Sequence, residues 1–436
     1  MVQAAVRIDE EEGHRSPPAR KEKTGPGVLV GRTNSAFPIP VVGCIARGEG
    51  SRVWDDDGNE YIDFLLSSGP MILGHSHPRV RQAVADQMAD GFAFNVLNRQ
   101  AVELAERIVA IPGCAELVRF ASTGTEATMH AVRLARAYTG RSKVLLFSGS
   151  YHGSHDLSII GHRGAVRATT GGVPDSVIQD ALLATFDDIA SVEAVFAQHG
   201  PEIAAVLMEP QQRSVDPTPG FLQQVAEVCR ANGTVLIFDE VLTGFRLAYG
   251  GAQEYYGVHP DILCYGKIVG GGFPLSAIAG RHEIMRLADP ALASEPEFVH
   301  LSGTLSGNPV SAAAGLATLK ELEQPGVYEF LHDIGRRLRD GLRSELASRG
   351  IAGAVHGSGP IAAVRFGENG QSEPAAAMRA AVNRELVKRG VLAQLQTRFY
   401  LSLAHTEEDV DFCVQAFGES LSAAAALEHP VESAAG

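Results

Sequence analysis

Hydrophobic and polar positions follow two rhythms along this chain. Between residues 44 and 64, short runs at 45–47, 52–54 and 60–64 are separated by Gly48-Glu49-Gly50 and Asp56-Asp57-Gly58-Asn59. An Asp-Gly turn between alternating runs predicts a hairpin, so a small antiparallel meander is expected here. From about residue 77 the period lengthens. Val80, Val84 and Met88 stand at helical spacing after His77-Pro78, and a second helix is expected over 101–109. Short runs that are apolar at almost every position then appear at 117–121, 144–147, 204–208, 235–238 and 262–265, mostly separated by helical stretches such as 126–138. Strands apolar on both faces belong in a parallel sheet covered on both sides. The predicted fold class is therefore α/β, with a large domain built on a mostly parallel sheet under helices. A helix near 312–323 leads to a smaller α+β unit, with strands at 361–366 and 399–403 and helices at 374–389 and 407–425. This divides the chain into a polar N-terminal tail (1–30), a segment with the meander (31–76), a large domain (77–315) and a C-terminal small domain (316–436).

Composition narrows the function classes. A chain of 436 residues exceeds one small core, and 45% hydrophobic with 20% charged residues is ordinary for a globular protein. A net charge of −14 without a basic cluster argues against nucleic acid. The five cysteines show no C-x-x-C pair and no metal-ligand spacing, which suits buried thiols in a reducing cytoplasm. No apolar run reaches membrane-spanning length, and the N-terminus lacks the apolar core of a signal peptide.

In an open parallel sheet, ligands bind at the C-terminal ends of the strands. Four segments stand there. Ser122-Thr123-Gly124-Thr125-Glu126 joins a strand to a helix, where hydroxyls and free amides suit a phosphate; alone it reads more readily as a plain helix cap. Asp239 ends an apolar strand, where a carboxylate needs a cation such as a protonated pyridine nitrogen, or else simply caps the strand. Lys267 follows another such strand and precedes Gly270-Gly271-Gly272; burial lowers an amine's pKa, as a Schiff-base lysine requires. Tyr151-His152-Gly153 offers an aromatic that stacks on a planar ring, though such a pair is often only structural. The order of these segments is the evidence, and it points to pyridoxal 5′-phosphate (PLP).

The same segments carry a resemblance. ARGEGSRVWDDDGNEYIDF, GPMILGHSHP, STGTEATMHAVRLARAYTGR, YHG, FDEVLTGFR, YGKIVGGGFP, GTLSGNP and SLAHTEEDV, in this order from about residue 45 to 411, resemble the class III, fold-type I PLP enzymes. The likeness is greatest to glutamate-1-semialdehyde 2,1-aminomutases and their aminotransferase relatives. It implies a homodimer with active sites at the subunit interface. It also implies that Thr123, Gly124 and Thr125 hold the phosphate and that Thr304 reaches the partner's phosphate. Tyr151 and Val241 would lie on opposite faces of the ring, with Asp239 on its nitrogen, Lys267 as the Schiff-base residue and Glu209 near the cofactor.

Three departures from the aminomutase pattern bear on the reaction. Thr33-Asn34-Ser35-Ala36-Phe37 lacks the arginine of the usual N-S-P-V-R-A-F, with Arg32 just outside it. Ser68 stands where a tryptophan is usual, which implies a roomier pocket. Gln396-Thr397-Arg398-Phe399-Tyr400 replaces F-E-A-G-F, so Arg398 is a candidate carboxylate clamp, or else a surface residue at a strand end. These changes favour a ping-pong aminotransferase moving nitrogen from an amino acid (β-amino or bulky α-amino) or amine to a keto acid. The alternative is an isomerase, an aminomutase or racemase.

Overall fold

The computed structural model describes residues 44–162, 171–367, 372–394 and 398–428. The expected N-terminal tail, Arg32, the 33–37 segment, Gln396, Thr397 and the chain from His429 onward lie outside them. The meander forms as expected: β1 (Ile45–Glu49), β2 (Arg52–Asp55) and β3 (Glu60–Asp63) pair antiparallel. The Asp55 carboxylate fixes the β2–β3 turn by accepting the amides of Asp57 (3.1 Å) and Asn59 (2.9 Å).

The large sheet has seven strands. In chain order they are β4 (Leu117–Ala121), β5 (Lys143–Phe147), β6 (Ala181–Ala184), β7 (Ile203–Met208), β8 (Val235–Glu240), β9 (Ile262–Tyr265) and β10 (Ser276–Gly280). Their spatial order is β4-β10-β9-β8-β7-β5-β6, with β10 antiparallel to both neighbours and the other pairs parallel. Residue parity explains the packing. Leu145, Phe147, Val206, Met208, Leu236 and Phe238 meet the helices Arg99–Val109, Phe221–Asn232 and Pro309–Leu322 on one face. Val144, Leu146, Ala205, Leu207, Val235 and Ile237 meet the helix Gly124–Thr139 on the other. Each fully buried aliphatic or aromatic side chain contributes about 1.5–3 kcal/mol. Two of these strands carry little strand signal: β6 is a four-residue Ala-Leu-Leu-Ala run, and β10 is Ser-Ala-Ile-Ala-Gly. In β10 the neighbours, rather than propensity, decide the conformation.

The C-terminal unit sets β11 (Gly353–His356), β12 (Ile361–Phe366) and β14 (Phe399–Tyr400) against the helices Val327–Ser348, Glu373–Lys388 and Glu407–Glu428. The strand expected over 399–403 stops at Tyr400, because the amides of Leu401 and Leu403 turn to Pro360 (3.0 Å) and Ile72 (2.8 Å). β13 (Val391–Leu392) runs parallel to β3, so the meander shares a core with this unit, through Ile62 and Phe64. No described helix is long and apolar enough to cross a membrane.

Because β10 is antiparallel to both β4 and β9, strands β4 and β9 point the same way as β5, β7 and β8. Thr123, Tyr151, Glu209, Asp239 and Lys267 therefore all arrive at one edge of the sheet.

Candidate active site

That edge borders a cavity of about 390 Å³. Thr123, Gly124, Thr125, Tyr151, Glu209, Asp239, Val241, Lys267 and Arg398 all line it. Ser68 is exposed outside the lining, and Pro70 is the nearest residue of its segment to reach the cavity. Thr304 is exposed and outside the lining as well.

At one end the helix Gly124–Thr139 begins with a capping box. The Thr123 hydroxyl accepts the Glu126 amide at 3.2 Å, and Glu126 accepts the amides of Ser122 and Thr123 at 3.0 and 2.8 Å. Both the cap and the phosphate readings of this segment thus share one structure. The Thr123 side chain belongs to the cap, while the first helical amides, Gly124 and Thr125, have no intrahelical acceptor and carry the positive end of the helix dipole. Thr125 Oγ1 in turn accepts the Ser154 amide at 3.2 Å. Gly153 is required beside it: at φ +101° a Cβ would lie 2.5 Å from Thr125 Oγ1.

Val241 packs between two glycines. A Cβ on Gly124 or Gly266 would come within 2.9 or 3.0 Å of its Cγ1. The result is a smooth apolar floor to one side of the cavity, with Tyr151 also on the cavity wall. A planar ring with a phosphate at the helix terminus fits this donor set.

Asp239 is 5% exposed, and its two oxygens are held apart by different partners. Oδ1 accepts the Val241 amide at 3.1 Å, and Oδ2 lies 2.8 Å from Nδ1 of the buried His152. With its proton on Nδ1, His152 donates to the carboxylate. Its own carbonyl takes the Thr128 hydroxyl at 2.7 Å, so the imidazole is anchored to the capped helix.

Lys267 follows β9 at φ +49°, a left-handed conformation that costs a non-glycine residue about 1–2 kcal/mol. Its Nζ forms no hydrogen bond or ion pair among the described residues. Burial is the main reason its pKa falls; Arg398 and Arg246 add to this, and Tyr400 and Asp239 oppose it. An amine that loses its proton more easily is the form a carbonyl requires.

The opposite end is made of arginines. Arg398 is 6% exposed, so it is not a surface residue. Its Nε donates to Ser214 Oγ at 2.6 Å and its Nη1 to Tyr400 Oη at 3.3 Å. Its Nη2 is buried without a hydrogen bond, 3.8 Å from Glu209 Oε1. Glu209 Oε2 is meanwhile engaged by the Tyr151 amide at 3.0 Å. Burial alone would raise the Tyr400 phenol's pKa, but Arg398, Lys267 and Arg246 bring it below its usual value.

Sequence reasoning assigned no role to His152, Arg213 or Tyr400. The signal for His152 was present beside Tyr151, and a lone arginine shortly after β7 could have drawn attention to Arg213. For Tyr400 the signal was its place two residues after Arg398, on the same face of a strand.

The model of "Aminotransferase class-III" matches residues 35–421. A glutamate-1-semialdehyde 2,1-aminomutase of Desulforamulus reducens is 42% identical over 397 residues, covering 87% of this chain and 90% of its own. An ω-transaminase from Sphaerobacter thermophilus superposes with a TM-score of 0.85 at 34% identity, covering 92% of this chain and 94% of its own. A transaminase solved with PLP bound gives 0.83 at 32% identity, with the same coverage of 92% and 94%. The expected fold and cofactor are both supported, and the chain belongs to the class-III aminotransferase family of fold-type I PLP enzymes.

Proposed function

We propose that this chain moves the amino group of a carboxylate-bearing substrate, with Lys267 as cofactor attachment point and proton carrier. One observation carries the reading: Lys267, the His152–Asp239 pair and Arg398 face a single cavity at the strand ends. When bound, PLP supplies an aldehyde carbon that takes up amines and a ring that accepts electrons. The Gly124 and Thr125 amides are placed to hold its phosphate, with Thr304 contributed by a second subunit. Asp239, steadied by His152 and the Val241 amide, is placed to keep the ring nitrogen protonated. Lys267, with its lowered pKa, takes a proton from the amine-bearing carbon and returns it elsewhere. Arg398 holds the substrate carboxylate through Nη2, the one guanidinium nitrogen that the fold leaves without a hydrogen bond.

The finer question is whether nitrogen stays within one molecule or passes between two. A relative 42% identical is named an aminomutase, and this favours the isomerase over the aminotransferase expected from the sequence. Relocation is therefore the first reading. Transfer is the second, supported by the buried Arg398 in the cavity wall and by the likeness to an ω-transaminase. The test is product mass from the PLP-loaded enzyme. Isomerisation of glutamate 1-semialdehyde with no acceptor present establishes the first reading. Product that forms only when an amino donor and pyruvate or 2-oxoglutarate are supplied together establishes the second. Turnover of neither would sink both.

A further inference from the structure

Arg213 is not used by the chemistry above, yet it lines the same cavity. It stands with Ser214 at the corner of a tight turn, closed by the Val215 amide on the Gln212 carbonyl at 2.9 Å. Both corner residues are left-handed, at φ +51° and +72°. Turns of that hand favour glycine, asparagine or aspartate, so an arginine there is held at a conformational cost. The turn has two outputs: Ser214 Oγ takes Nε of Arg398, and Arg213 extends over the Tyr151 ring with its guanidinium carbon 5.8 Å from the centroid. That distance is at the outer limit of a cation–π contact. Arg213 forms no hydrogen bond or ion pair among the described residues. Its chain neighbour Ser214 bonds Arg398, which places Arg213 at the arginine end of the cavity.

Two guanidiniums thus line one cavity, with the Glu209 carboxylate near Arg398. Glu209 is 3.8 Å from Arg398, beyond hydrogen-bond distance, and forms no ion pair with Arg213. One substrate carboxylate can take the Nη2 of Arg398, whose other nitrogens are engaged by Ser214 and Tyr400; the Arg213 fork still lacks an acceptor. We infer that Arg213 is a second anion-binding group, and that the preferred ligand of this cavity is a dicarboxylic amino or keto acid spanning Arg398 and Arg213. This rests on the reading of the cavity as the amine site and deepens its second form. Glutamate 1-semialdehyde retains one carboxylate, so a demand for two would move the balance toward transfer with a dicarboxylate partner.

The test uses the PLP-loaded enzyme and two unreactive five-carbon probes, glutarate and pentanoate, with binding read from the cofactor's absorption. The wild type is expected to bind glutarate at least about tenfold more tightly, the effect of one additional charge-assisted contact. In Arg213→Gln this preference should disappear while pentanoate affinity changes less than about threefold, whereas Arg213→Lys should keep part of it. Equal binding of the two probes to wild type overturns the inference without any variant, and so does a preference that survives Arg213→Gln. Loss of the glutarate preference in Arg213→Gln, in an enzyme that turns over neither semialdehyde nor amino donors, would support the clamp and refute the proposed function. Turnover with no glutarate preference would do the reverse.

Discussion

The two ends of the cavity are built differently. At the helix end, the donors are backbone amides and short side chains already tied into the fold by the capping box, the Asp239–Val241 contact and the glycines around Val241. At the arginine end, long side chains from distant segments converge and leave polar atoms unpartnered, as with Arg398 Nη2. The first arrangement suits a ligand that is always the same, because backbone cannot be retuned without moving the fold. The second suits a ligand that differs between relatives, because one substitution in a loop changes the donors. On the proposed roles, the cofactor end is fixed by architecture and the substrate end by side chains.

The sharpest break of this comparison is at Lys267, which belongs to neither end and serves both. Lys267→Ala should abolish turnover, beyond the roughly 10²–10⁴-fold expected for one acid–base group. Intact-mass measurement after borohydride reduction should show no cofactor attached to the variant. Near-normal turnover would mean that another residue is the attachment point.

Asp239→Asn tests the helix end. The ring nitrogen would lose its charge partner, while the side-chain oxygen could still accept the Val241 amide and the new NH2 would face His152 Nδ1, which must then accept. Proton abstraction should slow about 10²–10³-fold, as for removal of one preorganised electrostatic partner, with the cofactor still bound. Single-turnover rates within a factor of about three of wild type would leave Asp239 a structural role only.

Arg398→Ala tests the other end. The loss of a charge-assisted contact of about 1.5–3 kcal/mol should raise KM roughly ten- to a hundred-fold for carboxylate-bearing donors and little for simple amines. Equal effects on both donor classes would show that Arg398 only braces Ser214 and Tyr400, and would shift attention to Arg32.

The two ends also differed in how legible they were. The helix end was readable because its parts are consecutive: Thr123 to Glu126 is one cap, and the strand before Asp239 is apolar at each position. Most of the large sheet was legible for the same reason, since strands buried on both faces announce themselves. The exceptions, β6 and β10, are short or made largely of small residues, and the sheet imposes their conformation. At the arginine end, Arg398 was singled out only as a departure from a pattern. Tyr400 stands two residues from Arg398, the spacing of one strand face, but Arg213 joins this end from a turn after β7, and no local spacing encodes that meeting. His152 lay in plain sight, but its bond to Asp239 spans 87 positions.

The smallest expected effect separates cap from ligand at Thr123. Its hydroxyl accepts the Glu126 amide and lies 3.1 Å from the Glu126 carboxylate, so it is committed to the helix rather than to the cavity. Removing an N-cap hydroxyl costs about 1 kcal/mol. For a chain of this length, that lowers the apparent melting temperature by roughly 1 °C if the whole chain melts together. The phosphate donors inferred here are the amides of Gly124 and Thr125, which the substitution leaves in place. Thr123→Ala should therefore shift the melting curves of the cofactor-free and loaded enzyme equally and change PLP affinity less than about threefold. An affinity loss of tenfold or more, with the cofactor-free melting curve unmoved, would mean that the hydroxyl leaves its cap to touch the phosphate. The helix end would then depend on a movable side chain, and the contrast between the two ends would narrow.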